Sequence, residues 1–478
     1  TPGAKLLLVL GQDAAQLQIA ADALALDRAA LTGSSMAITA LEYPPPTRPY
    51  DAPNWVTSER PVRLAELVPN PRDLQVRGTV LNETISISTR MAPDLFTWNA
   101  KGIPLDLKYR HTPGNDADPG TLNVSINDQF IESYALASRS ERSDSKNKVL
   151  LPLFDESSLP SHAGLKVPAF MLGTNNRLQF GFYIPPNDLG QCRSLQPVER
   201  IAAIDPQSTI DLTGFHHYIA MPSLAAYANS GFPFTRVPDL AQTSVVLPNQ
   251  PTAADVQVFL TAISRMSAST GYPGTRFKLL SAAQVEQARD TDILLVAQGD
   301  RDGLLAQWKQ HLPALVAAGT RSVAPLERAM SALTHWFQPD PALERSPSGG
   351  RTTLEGEGAL AALVGFESPL HSGRSVVALT ANDSAAMERV SAGLNDSGKI
   401  QQMRGDLVLL RAETIDSFRI NPIYYVGSLP WWQWLWFHLH SHPLLLALLG
   451  IGAGLLVTFV VYGALRAMAA RRLRGEHG

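Results

Sequence analysis

The chain has 478 residues, 45% of them hydrophobic and 17% charged, with a formal net charge of −3. This length predicts several domains at about 150 residues each, and the lack of a basic excess argues against a nucleic-acid partner. Cys192 is the only cysteine, so no internal disulfide forms; it is free or pairs with a cysteine outside these residues.

Lys5 to Leu10 reads as a buried strand ending at Gly11. Asp13 would cap a helix with Leu17, Ala20, Ala21 and Leu24 at helical spacing, and Met36 to Leu41 returns as a second strand. This is a β-α-β fragment of an α/β sheet. It opens at Thr1 with neither methionine nor signal peptide, which predicts that the first domain begins upstream. Pro44, Pro45, Pro46, Pro49 and Pro53, then Pro69 and Pro71, mark a boundary, leaving 1–77 as the end of an α/β domain plus linker.

Over 78–222 the apolar period becomes two. Leu81, Ile85 and Ile87 alternate with polar residues, as do Leu105, Leu107 and Tyr109, then Leu122, Val124 and Ile126, then Leu178, Phe180, Phe182 and Ile184. This predicts a β-sandwich of jelly-roll type. Over 223–428 the α/β pattern resumes: strands at Ser244 to Leu247, Ile293 to Ala297, Ala359 to Phe366, Ser375 to Thr380 and Asp406 to Arg411 alternate with helices at Thr252 to Ser267, Asp302 to Phe337 and Asp383 to Leu394. Thr252 with Asp255 forms the pattern of a capping box.

The C-terminal residues predict a membrane anchor. Trp431, Trp432, Trp434 and Trp436 crowd the segment 429–443, which suits an amphipathic helix lying in the lipid interface. Leu444 to Leu465 carries no formal charge over 22 residues, about 33 Å as a helix and enough for a bilayer core. Arg466, Arg471, Arg472 and Arg474 follow in the tail 466–478, whereas no Lys or Arg lies between Arg419 and Arg466. The positive-inside rule puts that tail in the cytoplasm and the bulk outside. Gly450 and Gly454 form a small-xxx-small pair that lets another helix approach closely.

Catalytic signatures are sparse. The chain has no P-loop, no G-x-S-x-G elbow and no H-E-x-x-H. Asp116 and Asp118 have a metal-holding D-x-D spacing but fall in a polar turn, and Glu355 and Glu357 read as a solvated face. His438, His440 and His442 scatter around a helix and predict no metal site. The run from Ser269 to Thr275 has the composition of a phosphate loop but follows a helix, where a turn is needed. Sugar binding by aromatic stacking ranks above catalysis, with Trp98 as first candidate, Tyr183 second and Trp55 third.

Gly78 to Arg90, Phe96 to His111, Leu178 to Pro186, Cys192 within Gln191 to Arg193, and Phe418 to Pro430 running into the membrane segment resemble the periplasmic B subunit of bacterial cellulose synthase. The resemblance implies flavodoxin-like α/β domains flanking a carbohydrate-binding-like jelly roll, with the first jelly roll and part of the first flavodoxin-like domain lying upstream. It also implies a noncatalytic subunit at the bacterial inner membrane that joins the catalytic glycosyltransferase subunit and guides nascent β-1,4-glucan into the periplasm. Membrane lipids are a further partner, and self-association of the outer domains another. Members of the family are also labelled cyclic di-GMP-binding, but neither R-x-x-x-R nor D-x-S-x-x-G is present, so no cofactor is expected. Two other readings stay open: an anchored hydrolase or esterase, which needs a convergent nucleophile or carboxylate pair, and a solute-binding sensor with a cleft near Asp300.

Overall fold

The computed structural model describes residues 6–26, 33–98, 100, 102–114, 118–138, 159–167, 174–185, 199–299, 301–308, 310–312, 361–411, 414–440 and 443–475. Cys192, Asp116, Glu355, Glu357 and His442 lie outside them, as does most of the helix expected from Asp302 to Phe337.

Helix α1 (Ala14–Leu26) forms as its spacing predicts, and Asp13 caps it by accepting a hydrogen bond from the Gln16 N–H at 2.8 Å. The two flanking strands do not form. Residues 6–10 and 36–41 are irregular, and Leu6, Leu7, Leu8 and Leu10 are exposed. Apolar composition marks a strand only where a neighbouring edge satisfies its backbone, and neither segment pairs with any described strand.

The next region is a two-sheet sandwich. Along this stretch run β1 (Val62–Arg63), β2 (Gln75–Gly78), β3 (Leu81–Arg90), β4 (Leu95–Phe96), β5 (Ile103–His111), β6 (Thr121–Ile126), β7 (Gln129–Ala135), β8 (Leu159–Val167), β9 (Asn175–Ile184), β10 (Arg200–Ile204) and β11 (Thr209–Ile210), and all but β4 build the sandwich. One sheet has the order β3-β9-β6-β7; the other runs β1-β11-β5-β10-β2, with β8 on the far edge of β5. All of these pairings are antiparallel. The period-two residues meet between the sheets: Ile85, Ile87, Val124, Phe180 and Phe182 from one pack on Ile103, Leu105, Leu107 and Ile204 from the other. Each such side chain stabilises the sandwich by roughly 1.5–3 kcal/mol. Asn127 and Asp128, at φ 51° and 63°, turn β6 into β7 with the two left-handed residues a tight hairpin requires.

Strand β12 (His216–Met221) follows the sandwich in the chain and forms a small sheet between β4 and β20 (Tyr424–Gly427). Between them in sequence lie β13 (Thr243–Leu247), β14 (Lys278–Ser281), β15 (Asp292–Gln298), β16 (Ala361–Glu367), β17 (Ser375–Ala381), β18 (Leu407–Leu410) and β19 (Ile415–Phe418). They form a seven-stranded sheet of order β14-β13-β15-β17-β16-β18-β19. The first four are parallel to one another, while β16, β18 and β19 are joined antiparallel. Apolar runs such as Ile293 to Val296 are buried throughout because both faces are covered. The helices accompanying this sheet are α2 (Leu224–Ser230), α3 (Ala253–Thr270), α4 (Leu304–Gln307), α5 (Ser384–Asn395) and α6 (Ser397–Ile400). One face packs on α3 and α5, the other on Leu304 and Trp308. Thr252 and Asp255 form the capping box of α3, and Gly271, at φ 73°, ends that helix in a left-handed cap. The run from Ser269 to Thr275 is therefore a helix exit, as its position after a helix requires.

The described residues from Ser428 onward belong to a second compact unit. Helix α7 (Trp431–Leu439) is followed by α8 (Pro443–Gly475), a continuous helix of 33 residues. Within α8, Leu446–Met468 is long and apolar enough to cross a membrane, and none of its apolar window is buried.

Candidate functional site

Aromatic side chains were the leading candidates, and their environments separate them. Tyr183 is 42% exposed on β9. It stands between Asn82 of β3 and Thr121 of β6, its partners in register, so an open ring is flanked by an amide and a hydroxyl. That combination suits a pyranose, whose C–H face stacks and whose hydroxyls hydrogen-bond. Trp98 is half-buried, tilted against Phe96 with centroids 6.2 Å apart.

Trp55 is corrected. It is 2% exposed, and its indole N–H donates to the Ser269 carbonyl at 3.0 Å, so it presents no face to a ligand. A tryptophan in a proline-rich connection looks exposed from its neighbours in sequence, but here the connection lies against the end of α3.

The four tryptophans of α7 are all open: Trp431 77%, Trp432 56%, Trp434 48% and Trp436 53% exposed. A methyl group added at Gly450 or Gly454 would meet no heavy atom within 4 Å, which leaves that stretch of α8 free for a neighbour. Arg466 is exposed, and the helix continues through Arg471, Arg472 and Arg474. Asp118 accepts from the Gly120 N–H at 3.2 Å, a turn contact.

One constellation has no signal in the sequence. His217, on β12, places Nδ1 3.0 Å from Asp94 Oδ1 and Nε2 2.8 Å from Ser58 Oγ. The Tyr50 hydroxyl donates to Asp94 Oδ2 at 2.6 Å, and the Tyr50 ring stacks on the imidazole with centroids 3.5 Å apart. Burial, then the neighbouring Asp94 carboxylate, pushes the Tyr50 phenol far above its ordinary value, so the hydroxyl stays a donor. Tyr50 holds φ 62°, a conformation uncommon for a bulky residue and sustained by the bonds around it. These residues come from the linker, the turn before β4, and β12. Ser, His and Asp in that order can carry a proton from hydroxyl to imidazole, and equally can bind three chain segments together.

Two family models match adjacent stretches of the chain: "Cellulose synthase BcsB, second CBM domain" over residues 61–209 and "Cellulose synthase BcsB, second FD domain" over 217–379. Their order is that of the sandwich followed by the α/β sheet. The chain belongs to the BcsB family. A relative from Pseudomonas fluorescens, named "Cyclic di-GMP-binding protein", is 37% identical over 98% of this chain and 62% of its own length. One of the same name from Xanthomonas axonopodis is 39% identical over 89% of this chain and 54% of its own length. "Cellulose synthase 1" of Novacetimonas hansenii is 31% identical over 98% of this chain and 30% of its own length. This BcsB chain thus spans between half and two thirds of the length of the first two relatives, and the two domains it matches are both described as the second of their kind.

Proposed function

We propose that the chain is part of a noncatalytic subunit of bacterial cellulose synthase, held in the inner membrane by α8, with its bulk in the periplasm and its C-terminus in the cytoplasm. The observation that carries this reading is the succession of two BcsB domains and a membrane-length helix ending in arginines. The anchor packs on the catalytic glycosyltransferase subunit, α7 lies among lipid headgroups, and the outer domains guide nascent β-1,4-glucan by weak aromatic contacts at Tyr183 and Trp98. The domains run 1–77, 78–222, 223–428, 429–443, 444–465 and 466–478, the second a jelly roll and the third flavodoxin-like. The antiparallel pairing of β16, β18 and β19 makes the third a variant of the parallel plan. No cofactor is required, and the name of the two relatives finds no nucleotide motif in this sequence. The test is glucan synthesis by membrane vesicles that contain the catalytic subunit with either the full chain or a chain lacking 429–478. Activity should fall to background with the truncated chain; undiminished synthesis would refute the reading.

The Ser58–His217–Asp94 geometry favours a second reading, an anchored esterase. Ser58 Oγ would attack an ester carbonyl while His217 takes its proton and passes it to the departing alcohol; water would then release the acyl group by the same relay. Labelling by a fluorophosphonate that is abolished by Ser58→Ala supports this reading. Absence of labelling of the folded wild type excludes it.

A further inference from the structure

The ends of β3 and β9, together with α2, α3 and α6, line a half-open cavity of about 310 Å³, within the range of small-ligand pockets. Arg90 and Arg265 both line it, and among the described residues no Asp, Glu or His does. Arg265 donates to the Ala228 carbonyl at 2.9 Å. Neither guanidinium forms an ion pair with a described residue. Burial pushes both pKa values down, and Arg90 adds to the effect at Arg265.

Two half-buried like charges facing one space are costly unless something anionic joins them. The negative end of α3 does not account for them. Its last carbonyls are already taken: Ser267 by the Gly271 N–H, Ser269 by Trp55 Nε1 and Thr270 by the Asn54 N–H. A further polar group lines the same cavity: Ser269, only 4% exposed, has a hydroxyl with no hydrogen-bond partner among the described residues. The amides of Asn175 and Gln401 complete a lining suited to hydroxyls.

We propose that this cavity binds a small oxyanion ligand, a phosphate or carboxylate on a body no larger than a monosaccharide, held between Arg90 and Arg265 with Ser269 as a third donor. Guanidinium forks match the planar or tetrahedral oxygens of such groups. The inference is independent of the scaffold reading and survives its failure.

The test is calorimetric titration of the full chain in detergent, at fixed ionic strength and free of phosphate, with inorganic phosphate, glucuronate and glucose. Saturable binding is expected for phosphate, glucuronate or both, at least tenfold tighter than for glucose, and which of them binds assigns the anion. Arg90→Gln should weaken it at least tenfold while leaving Tm in anion-free buffer unchanged or higher, because the variant relieves repulsion. Ser269→Ala, which removes only the unpartnered hydroxyl, should weaken binding several-fold and decides the matter if Arg90→Gln fails to fold. No saturation by either anion, affinity equal to that of glucose, or unchanged affinity in the folded variants overturns the proposal.

Discussion

Asp94 and His217 are 123 residues apart in sequence and 3.0 Å apart in space, joined through a carboxylate whose side chain is 0% exposed. The other oxygen of that carboxylate holds Tyr50, so one buried group fastens the linker and the turn before β4 to strand β12. Asp94→Ala would strand two donors together. Equilibrium unfolding in urea should show a loss of about 2–4 kcal/mol, whereas Tyr50→Phe, which keeps the ring stack, should lose only about 1 kcal/mol. An Asp94→Ala variant as stable as the parent would mean that the cluster does not hold these segments.

Trp55 provides a contrast with the open aromatics. Trp55→Ala removes a buried ring and leaves the Ser269 carbonyl without its donor, so a loss of about 3–5 kcal/mol is expected in the same unfolding measurement. Affinity for cello-oligosaccharides should not change under conditions where the variant is folded. A drop in affinity without a drop in stability would return Trp55 to the ligand surface.

What was legible in the sequence follows from the range of the forces involved. Leu178, Phe180, Phe182 and Ile184 declare a half-buried strand because alternation is local, and Leu444 to Leu465 declares a helix long and apolar enough to cross a membrane because length and the absence of charge are local too. Lys5 to Leu10 misled for the complementary reason: a strand needs a partner, which apolar composition does not supply. Strand β20 pairs with β12 from the far end of the chain, and Ser58 meets His217 across 159 residues. No spacing rule reaches that far. The Arg90 and Arg265 pair is equally silent, since each falls in an ordinary position on its own element.

Asp406 carries a pH dependence whose sign can be worked out. It is 0% exposed; burial raises its carboxyl from 3.8 to about 6, against the opposing effect of hydrogen bonds from the Asn421 and Ile420 N–H groups. Between those two values the folded chain keeps a proton that the unfolded chain has released. Stability from this group therefore falls as pH rises from about 4 to about 6, by at most about 3 kcal/mol. Urea unfolding of the parent and of Asp406→Asn across that window should give a difference that changes in this direction and then levels off. A difference independent of pH would show that the carboxyl titrates at its ordinary value.

Tyr183 and Trp98 differ in exposure and so in expected effect. Tyr183→Ala removes an open ring between Asn82 and Thr121 and should weaken cello-oligosaccharide binding about fivefold, roughly 1 kcal/mol, with little effect on Tm. Trp98→Ala should lower both affinity and Tm, because part of its surface packs on Phe96. Titration calorimetry paired with thermal melts separates the two; unchanged affinity in both variants would remove the glucan contact from this face.

Gly450 and Gly454 lie one helical turn apart on α8, and the absence of neighbours within 4 Å shows that nothing described in this chain needs them to be small. In a bilayer, apolar side chains gain little by leaving lipid for protein, so helices associate through close backbone approach, which glycine allows and a branched side chain blocks. Leu is as lipid-compatible as Gly and a better helix former, so Gly450→Leu with Gly454→Leu should leave insertion and the outer domains intact. Co-purification with the catalytic subunit, and glucan synthesis with it, should fall at least tenfold. Full recovery of the complex with the double variant would place the contact on another face of α8 or on the tryptophans of α7. Replacing Trp431, Trp432, Trp434 and Trp436 by Phe, which keeps an aromatic ring and removes the indole N–H groups, would then distinguish those two surfaces.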